Sequence, residues 1–287
     1  METILLRPVG YCGGVFKAIT EAIKIRNNTS KKIYVFGLLV HNYVVKEYLL
    51  NHQIETIDTT NIDKEKRLNE FKENEIVLFT AHGHNESYDD ILRRNNVEFY
   101  DLTCPKVIKN MELIKEKSKS NQVIYIGKKG HPETEAGLSC SKNTILYDIN
   151  EGIDYSKVSS KTPSVVNQTT LSLLEIEEIY KDIKEHIPNA IFEDEICSAT
   201  RSRQQNILSL EDDFDLFVII GSVKSSNTDK LYQIAKNKFI NSLVIKIETL
   251  DDLKKYNLSK CKKAYLASGT STPMSSIEEI ENYLKEN

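Results

Sequence analysis

The sequence predicts an α/β fold of three similar modules with mostly parallel sheets, arranged as a pseudo-threefold ring around a central cavity. Three observations lead to this prediction. Cys12, Cys104 and Cys197 lie about 92 residues apart, close to one third of the 287-residue chain. Short β-like segments alternate with helix-like segments, as in parallel α/β folds. Polar residues follow these β-like segments, and ligands of such folds bind beyond the carboxyl ends of the strands.

Each of the three cysteines follows a β-like segment and opens a helix-like one. The predicted strands cover residues 4–8, 97–100 and 190–192. After Cys12, apolar residues including Val15 and Ile19 recur at helical spacing. Pro105 follows Cys104 at a position where a helix tolerates a missing N–H group. The apolar stripe of the third copy is weaker, but it predicts a helix at the same place.

Two further strands are predicted in each copy. The first ends in glycine each time and covers residues 33–37, 123–127 and 217–221. The second covers residues 76–79, 164–166 and 264–266. A polar segment follows each of these six strands, so with the three cysteine turns nine polar segments should face one cavity. The repeat divides the chain into modules 1–96, 97–189 and 190–287. No linker rich in Pro, Gly or Ser separates these modules, so we expect the ring to be compact.

The composition argues against several classes of protein. The chain has 42 acidic and 38 basic residues, which gives a formal charge of −4. It therefore lacks the basic field of a dedicated nucleic-acid binder. No segment approaches the ~20 consecutive apolar residues of a membrane span, and the first residues lack the pattern of a signal peptide. We expect a cytoplasmic protein that binds neither nucleic acid nor membrane.

Three cysteines at matched positions suggest a metal site. Zinc sites often contain Cys-x-x-Cys pairs, and the chain has none. Three isolated thiolates instead suit one 4Fe-4S cluster per chain, with the fourth iron open to substrate. Each cysteine precedes a predicted helix, whose dipole favours the thiolate. The alternative is three buried, inert cysteines. Cys140 and Cys261 fall outside the repeat and are expected to be core residues or free thiols.

The polar segments predict a site for a small anion. Their donors are His41, His82, His131, Thr169, Ser225, Ser226, Asn227 and Ser271. Together with backbone N–H groups, such donors can hold a phosphate or diphosphate. A nucleotide cofactor is not expected, because neither a Gly-x-Gly-x-x-Gly nor a Gly-x-x-x-x-Gly-Lys-Ser/Thr pattern occurs. The other histidines have no counterpart in the repeat and are expected at the surface: His52, His84 and His186.

Glu133 differs in kind from the donors around it. A carboxylate at a strand end that faces an anion-binding cavity is costly unless it handles protons. Glu133 is therefore predicted to be a general acid or part of a proton relay. The alternative is that it only caps the helix after Pro132.

These motifs resemble those of the 4-hydroxy-3-methylbut-2-enyl diphosphate reductase family. Between residues 10 and 273 they read, in order, GYCGGV, HN, AHG, DLTCP, GHPE, QTTLS, ICSAT, SSNT and GTSTP. Val223-Lys224, Tyr43 and Lys128-Lys129 depart from the pattern usual in the family, and we expect these departures to affect loop geometry or affinity.

The resemblance implies the last step of the methylerythritol phosphate route to isoprenoids. Two electrons and two protons would remove the substrate's hydroxyl as water and give isopentenyl and dimethylallyl diphosphate. Cys12, Cys104 and Cys197 would hold the 4Fe-4S cluster, and a protein such as ferredoxin or flavodoxin would supply the electrons. Glu133 would deliver protons, with Thr169 placing the hydroxyl and His131 supporting the relay. The diphosphate would bind to His41, His82, Ser225, Ser226, Asn227 and Ser271.

Two other classes of function stay open at this point. One is a dehydratase that uses the open iron as a Lewis acid without net reduction. The other is a sensor or binding module in which the metal site is only structural. The predicted proton donor at residue 133 argues against the second, since a structural site has no use for one.

Overall fold

The computed structural model describes residues 1–193 and 195–286, and within that part of the chain it contains three four-stranded sheets. All neighbouring strands in the three sheets run parallel. Helices follow the strands in alternation along the chain. The predicted α/β class with three parallel modules is therefore confirmed.

The first sheet and its helices form module 1. The chain starts with β1 (Glu2–Leu5), which belongs to the third sheet. Module 1 then contains α1 (Gly13–Asn27), β2 (Lys32–Phe36), α2 (Tyr43–Asn51), β3 (Ile54–Ile57), α3 (Lys64–Leu68), β4 (Glu75–Phe79), α4 (Ser87–Arg94) and β5 (Glu98–Asp101). The strand order is β3-β2-β4-β5.

Modules 2 and 3 repeat this plan. Module 2 contains α5 (Pro105–Lys117), β6 (Val123–Gly127), α6 (Pro132–Ser139), β7 (Thr144–Asp148), a 3-10 turn (Tyr155–Lys157), β8 (Ser164–Asn167), α7 (Leu173–His186) and β9 (Ile191–Phe192). Module 3 contains α8 (Ser198–Ser209), β10 (Leu216–Ile220), α9 (Ser226–Lys238), β11 (Leu243–Ile247), α10 (Leu250–Leu253), β12 (Lys263–Ser268) and α11 (Met274–Glu286). Their strand orders are β7-β6-β8-β9 and β1-β12-β10-β11.

The strand before each cysteine belongs to the sheet of the preceding module. β5 pairs with β4, β9 pairs with β8, and β1 closes the ring by pairing with β12. The helix after each cysteine packs on the next sheet instead. For example, Ala18 and Ala22 of α1 lie in one apolar core with Ile33 and Val35 of β2. Each cysteine therefore lies at a junction between two sheets, and the three junctions surround the axis of the ring.

The apolar cores lie between the sheets and their helices. In module 2, Ile114 of α5 packs with Val123 and Val166, all three fully buried. In module 3, Ile207 of α8 packs with Phe217 and is also fully buried. These rigid layers hold the strand ends in place. None of the helices in the described residues combines the length and apolar character needed to cross a bilayer.

Candidate active site

A central cavity lies where the carboxyl ends of the strands of all three modules meet. Its empty space is about 660 Å3 when the open mouth is included. All twelve residues singled out in the sequence line it: Cys12, His41, His82, Cys104, His131, Glu133, Thr169, Cys197, Ser225, Ser226, Asn227 and Ser271. Each of the nine predicted polar segments contributes at least one residue to the wall.

The three cysteines occupy equivalent positions in this wall. Cys12, Cys104 and Cys197 are the residues that precede α1, α5 and α8, and none of their side chains caps its helix. None is in a disulfide. The thiols surround the cavity, and no three His, Cys, Asp or Glu side chains of residues 1–193 and 195–286 gather about a single-ion position. The three thiols are therefore free side chains on one cavity wall.

Gly14, two residues after Cys12, leaves room for the thiol of Cys104. A Cβ atom on Gly14 would lie 2.4 Å from Sγ of Cys104. Only glycine leaves that space free, so Gly14 of the motif has a steric reason in the structure. At Gly13, by contrast, no described atom lies within 4 Å of an added Cβ.

The protein surroundings raise the pKa of two of the cysteine thiols and so disfavour the thiolate form. Burial raises the pKa of the Cys104 and Cys197 thiols, and the Cys12 thiol raises both further. Backbone N–H groups at the helix ends act in the opposite direction but are outweighed. Burial therefore opposes the effect predicted for the helix dipoles at Cys104 and Cys197. Bound metal ions would supply the missing positive charge and deprotonate the thiols.

Arg203 is a buried cation behind the cysteines that the sequence analysis missed. Its guanidinium donates only to backbone carbonyls, namely those of Gly10 (2.8 Å), Ser268 (3.2 Å) and Ala199 (3.1 Å). No carboxylate of the described residues pairs with it. Burial lowers its pKa, whereas Cys12 and Cys197 raise it. A buried cation without a counter-ion fits a negatively charged group at the thiols, and a 4Fe-4S cluster with three thiolates is such a group.

Glu133 is held against Thr169 deep in the cavity. Its side chain is 2% exposed. It accepts hydrogen bonds from the backbone N–H (2.7 Å) and the hydroxyl (3.0 Å) of Thr169, so it does not cap its own helix. Burial raises its pKa to about 7, although the two bonds from Thr169 and the side chain of Asn110 act in the other direction. A carboxyl with this pKa can both hold and release a proton near neutral pH.

Three histidines form one wall of the cavity. The ring centroids of His41 and His82 are 4.3 Å apart, and that of His131 lies 5.5 and 5.7 Å from them. Burial lowers the pKa of His41 to about 4, that of His131 to about 3 and that of His82 well below its ordinary value. All three rings are therefore neutral at pH 7. Neutral imidazoles donate through one N–H group each.

The remaining donors come from module 3. Ser225 precedes α9 and accepts a hydrogen bond from the N–H of Thr228 (3.3 Å). The amide of Asn227 is buried, and both its side-chain atoms lack a partner within the described residues. The hydroxyl of Ser271 donates to the carbonyl oxygen of His41 (3.2 Å), which joins modules 3 and 1. Buried polar atoms without partners are rare, so Asn227 indicates a polar ligand.

Several lining residues were missed in the sequence. Lys106, Thr170, Thr200 and Thr270 also line the cavity. The hydroxyl of Thr200 lies 3.1 Å from Sγ of Cys197. A Thr three residues after a helix-opening Cys is on the same helical face, and this spacing could have identified it.

His84 corrects one expectation. It was predicted to lie at the surface, but its side chain is only 11% exposed. The ring stacks on Phe79 at 3.6 Å and hydrogen-bonds to Asp89 (2.8 Å). His84 is thus part of the packing behind the loop that carries His82. The surface prediction failed because the loop after β4 brings the His84 ring back onto Phe79, the last residue of that strand, and the sequence does not show the path of the loop.

The departures from the family pattern lie close to the histidines. Lys224 and Lys128 both lower the pKa of His41, and Lys128 also lowers that of His131. They therefore bring positive charge to the anion-binding end of the cavity. The N–H of Tyr43 donates to Glu248 (3.4 Å) at an exposed contact between modules 1 and 3.

Comparison with known proteins gives a family model and named relatives that agree with one another. A family model described as LytB protein matches residues 3–285. The 4-hydroxy-3-methylbut-2-enyl diphosphate reductase of Malacoplasma penetrans is 34% identical over 282 residues, which cover 95% of this chain and 93% of that protein. The protein of the same name from Bacillus subtilis is 32% identical over 292 residues, with 100% and 91% covered.

Solved structures agree with these relatives. The structure of E-1-hydroxy-2-methyl-but-2-enyl-4-diphosphate reductase from Plasmodium falciparum has a TM-score of 0.87 and 27% identity, and the match covers 99% of this chain and 88% of that one. A structure of the terminal enzyme of the non-mevalonate pathway, (E)-4-hydroxy-3-methyl-but-2-enyl diphosphate reductase, has a TM-score of 0.70 and 26% identity over both full chains.

Proposed function

This chain belongs to the LytB family, and from that membership we propose that it reduces 4-hydroxy-3-methylbut-2-enyl diphosphate to isopentenyl and dimethylallyl diphosphate. The reaction removes the allylic hydroxyl as water and consumes two electrons and two protons. It is the last step of the methylerythritol phosphate pathway. The observation that carries the proposal is the meeting of three thiols, a protonatable carboxyl and a set of anion donors in one cavity.

Cys12, Cys104 and Cys197 hold the 4Fe-4S cluster in this proposal. Three observations support it: the three thiols line one cavity, Gly14 leaves room for the Cys104 thiol, and Arg203 has no carboxylate partner among residues 1–193 and 195–286. When bound, the cluster supplies single electrons and one iron without a protein ligand. The residues of the cavity wall orient the substrate, exclude water and hold the protons that the reaction needs.

Glu133 supplies the proton for the departing hydroxyl. Its pKa of about 7 lets it be protonated in a large fraction of molecules at neutral pH. Thr169 fixes both carboxyl oxygens and so sets the direction in which the proton leaves. Nδ1 of His131 accepts the N–H of Glu133 (3.2 Å), so the remaining N–H of that ring faces away from this bond and can donate to the substrate.

The diphosphate binds at the other end of the cavity. His41 and His82 donate from module 1, and Ser225, Ser226 and Asn227 donate from module 3. Ser271 lines the same wall, and its hydroxyl would turn from the carbonyl oxygen of His41 to a phosphate oxygen when the ligand binds. The unpartnered ring nitrogens of His41 and the amide of Asn227 support this role. Such donors recognise phosphate oxygens by direction as well as by charge.

A small acidic electron carrier such as ferredoxin or flavodoxin supplies the electrons at the face around the cysteines. Phe16 and Ile108 lie at equivalent places, each donating its N–H to the carbonyl of Cys12 or Cys104, and they are 63% and 38% exposed. Lys106, exposed and two residues before Ile108 on the same helix, adds positive charge. Phe16→Glu should slow turnover with a protein donor but not with reduced methyl viologen. Ile240→Glu, at a residue 83% exposed beyond the far end of α9, is the matched control.

The decisive test is anaerobic purification followed by absorption and EPR spectroscopy and a turnover assay. About four irons and four sulfides per chain, with conversion of substrate only in the presence of reductant, would support the reductase. Conversion without any reductant would indicate a dehydratase. Colourless protein with one zinc ion would contradict the proposal. A cytoplasmic location and the absence of nucleic-acid binding stay predictions.

A further inference from the structure

Two imidazole rings lie in contact at the anion-binding end of the cavity. The planes of His41 and His82 are inclined by 32°, with the centroids 4.3 Å apart. Both ring nitrogens of His41 and Nδ1 of His82 are buried and have no hydrogen-bond partner in the described residues. Because one nitrogen of a neutral imidazole is an acceptor, this pair retains an open position for a proton.

We propose that binding of an organic diphosphate draws one proton from solvent onto the His41–His82 pair, so that anion and proton enter the cavity together. This inference rests on the proposed diphosphate site but concerns a step that comes before the reduction. It assigns the pair a role in charge balance as well as in hydrogen bonding.

The pair is neutral before the ligand binds. Burial lowers the pKa of both rings, that of His41 to about 4. The charged groups that face His41 are Lys224, from the loop before α9, and Lys128, from the loop after β6. Both are cations and oppose a further positive charge. No carboxylate of the described residues forms an ion pair with either ring.

A bound diphosphate raises the pKa of the two histidines, which burial and the two lysines lower in its absence. One negative charge ~4 Å from an imidazolium, at an effective dielectric constant of ~20, raises the pKa by roughly three units. An ionised organic diphosphate carries more than one such charge, and it also neutralises part of the effect of the two lysines. Two such charges would therefore carry the pKa of His41 from about 4 to roughly 9 or higher, well above the pH of the assay. Two imidazolium rings 4.3 Å apart would repel each other by a similar amount, so only one proton is taken up.

His131 takes no part in this uptake although it lies in the same wall. Its Nδ1 accepts the N–H of Glu133 at 3.2 Å, and protonation of Nδ1 would replace that bond by a repulsive contact. Its ring is therefore fixed as a neutral donor through Nε2. This difference between neighbouring histidines provides a matched control.

The test is titration calorimetry of the anaerobic, cluster-containing protein with isopentenyl diphosphate at pH 7.5. At this pH the ligand is almost fully ionised, because the last proton of a phosphate ester leaves near pH 6. Two buffers of different ionisation enthalpy give the number of protons bound per ligand. We expect close to one, and a dissociation constant that rises up to tenfold per pH unit above pH 7.5. Glu133, whose pKa is about 7 in the same cavity, can add a fraction of a proton in every variant. The double variant His41→Gln/His82→Gln should therefore take up about one proton fewer than the wild type, whereas His131→Asn should keep the wild-type count.

Equal enthalpies in the two buffers for the wild type would overturn the inference without any variant. An unchanged proton count in the double variant, or its loss in His131→Asn, would also overturn it. Failure of the proposed function looks different, since it would appear as no binding of isopentenyl diphosphate or no reductive turnover. Binding and turnover without proton uptake would refute only the inference.

Discussion

Replacement of Glu133 by Gln should make the protein more stable at pH 8 while it removes most of the activity. The carboxyl is 2% exposed, and burial raises its pKa from 4.5 to about 7. Because the folded state holds this proton more tightly than the unfolded state, the group does not weaken the fold below pH 4.5. Between pH 4.5 and about 7 the unfolded state releases this proton while the folded state still holds it, so the free energy of unfolding falls over this range and levels off above pH 7. The cost at pH well above 7 is about 3 kcal/mol.

Glutamine keeps the size of the side chain and can still accept the N–H of Thr169, but it has no proton to lose. Relative to wild type, Glu133→Gln should therefore gain about 2 to 3 kcal/mol of unfolding free energy between pH 5 and pH 8. Urea unfolding of the iron-free protein, followed by circular dichroism at both pH values, measures this gain. The iron-free form is chosen so that loss of the cluster does not accompany unfolding.

The same substitution should lower kcat by roughly 10² to 10⁴ under a fixed chemical reductant, which is the usual range for loss of a general acid. kcat and kcat/KM should fall together, because the proton is used only in the transition state. The reasoning is refuted if Glu133→Gln has the same stability difference from wild type at pH 5 and pH 8. Near-normal kcat would place the proton donor elsewhere, with His131 or a phosphate oxygen of the substrate as the next candidates.

Three further predictions concern the cofactor and the ligand. Cys104→Ser should lose the cluster, so its iron content should fall well below the about four irons expected per chain, whereas Cys140→Ser should retain the wild-type iron content. Retention of iron by Cys104→Ser would contradict the threefold site. Gly14→Ala should also lower the iron content, since its Cβ would lie 2.4 Å from the Cys104 thiol, whereas Gly13→Ala should not; equal iron content would show that the thiol can move aside. His41→Ala should raise KM by about 10- to 100-fold with little change in kcat, as expected for a lost charge-assisted hydrogen bond in both ground and transition states; a fall in kcat alone would give the ring a different role.

The sequence was sufficient for the repeat and for twelve of the residues in the cavity wall. The period of the three cysteines, the strands that end in glycine and the polar residues after them are local patterns, and parallel strands must align their carboxyl ends. The wall of the cavity accordingly contains all the residues selected from the sequence, from Cys12 to Ser271. The roles of these residues in binding and catalysis stay proposals.

Only the tertiary structure decided which sheet each strand joins. β1, β5 and β9 were expected to open their own modules, but each pairs with the sheet of the preceding one. The hydrogen-bonding capacity of a strand is the same on either side, so its partner depends on contacts between residues that are distant in sequence. The pairing of β1 with β12 joins the two ends of the chain and closes the ring, which no local pattern could reveal.

Burial and its electrostatic consequences were likewise outside the reach of the sequence. Arg203, buried against three carbonyls, and His84, stacked on Phe79, look like ordinary polar residues in the chain. The pKa of Glu133, about 7, and that of His41, about 4, result from removal of solvent by elements of several modules. The sequence determined which chemical groups are present, because covalent order and local periodicity fix them. The tertiary structure decided their charge states, because desolvation depends on everything packed around a group.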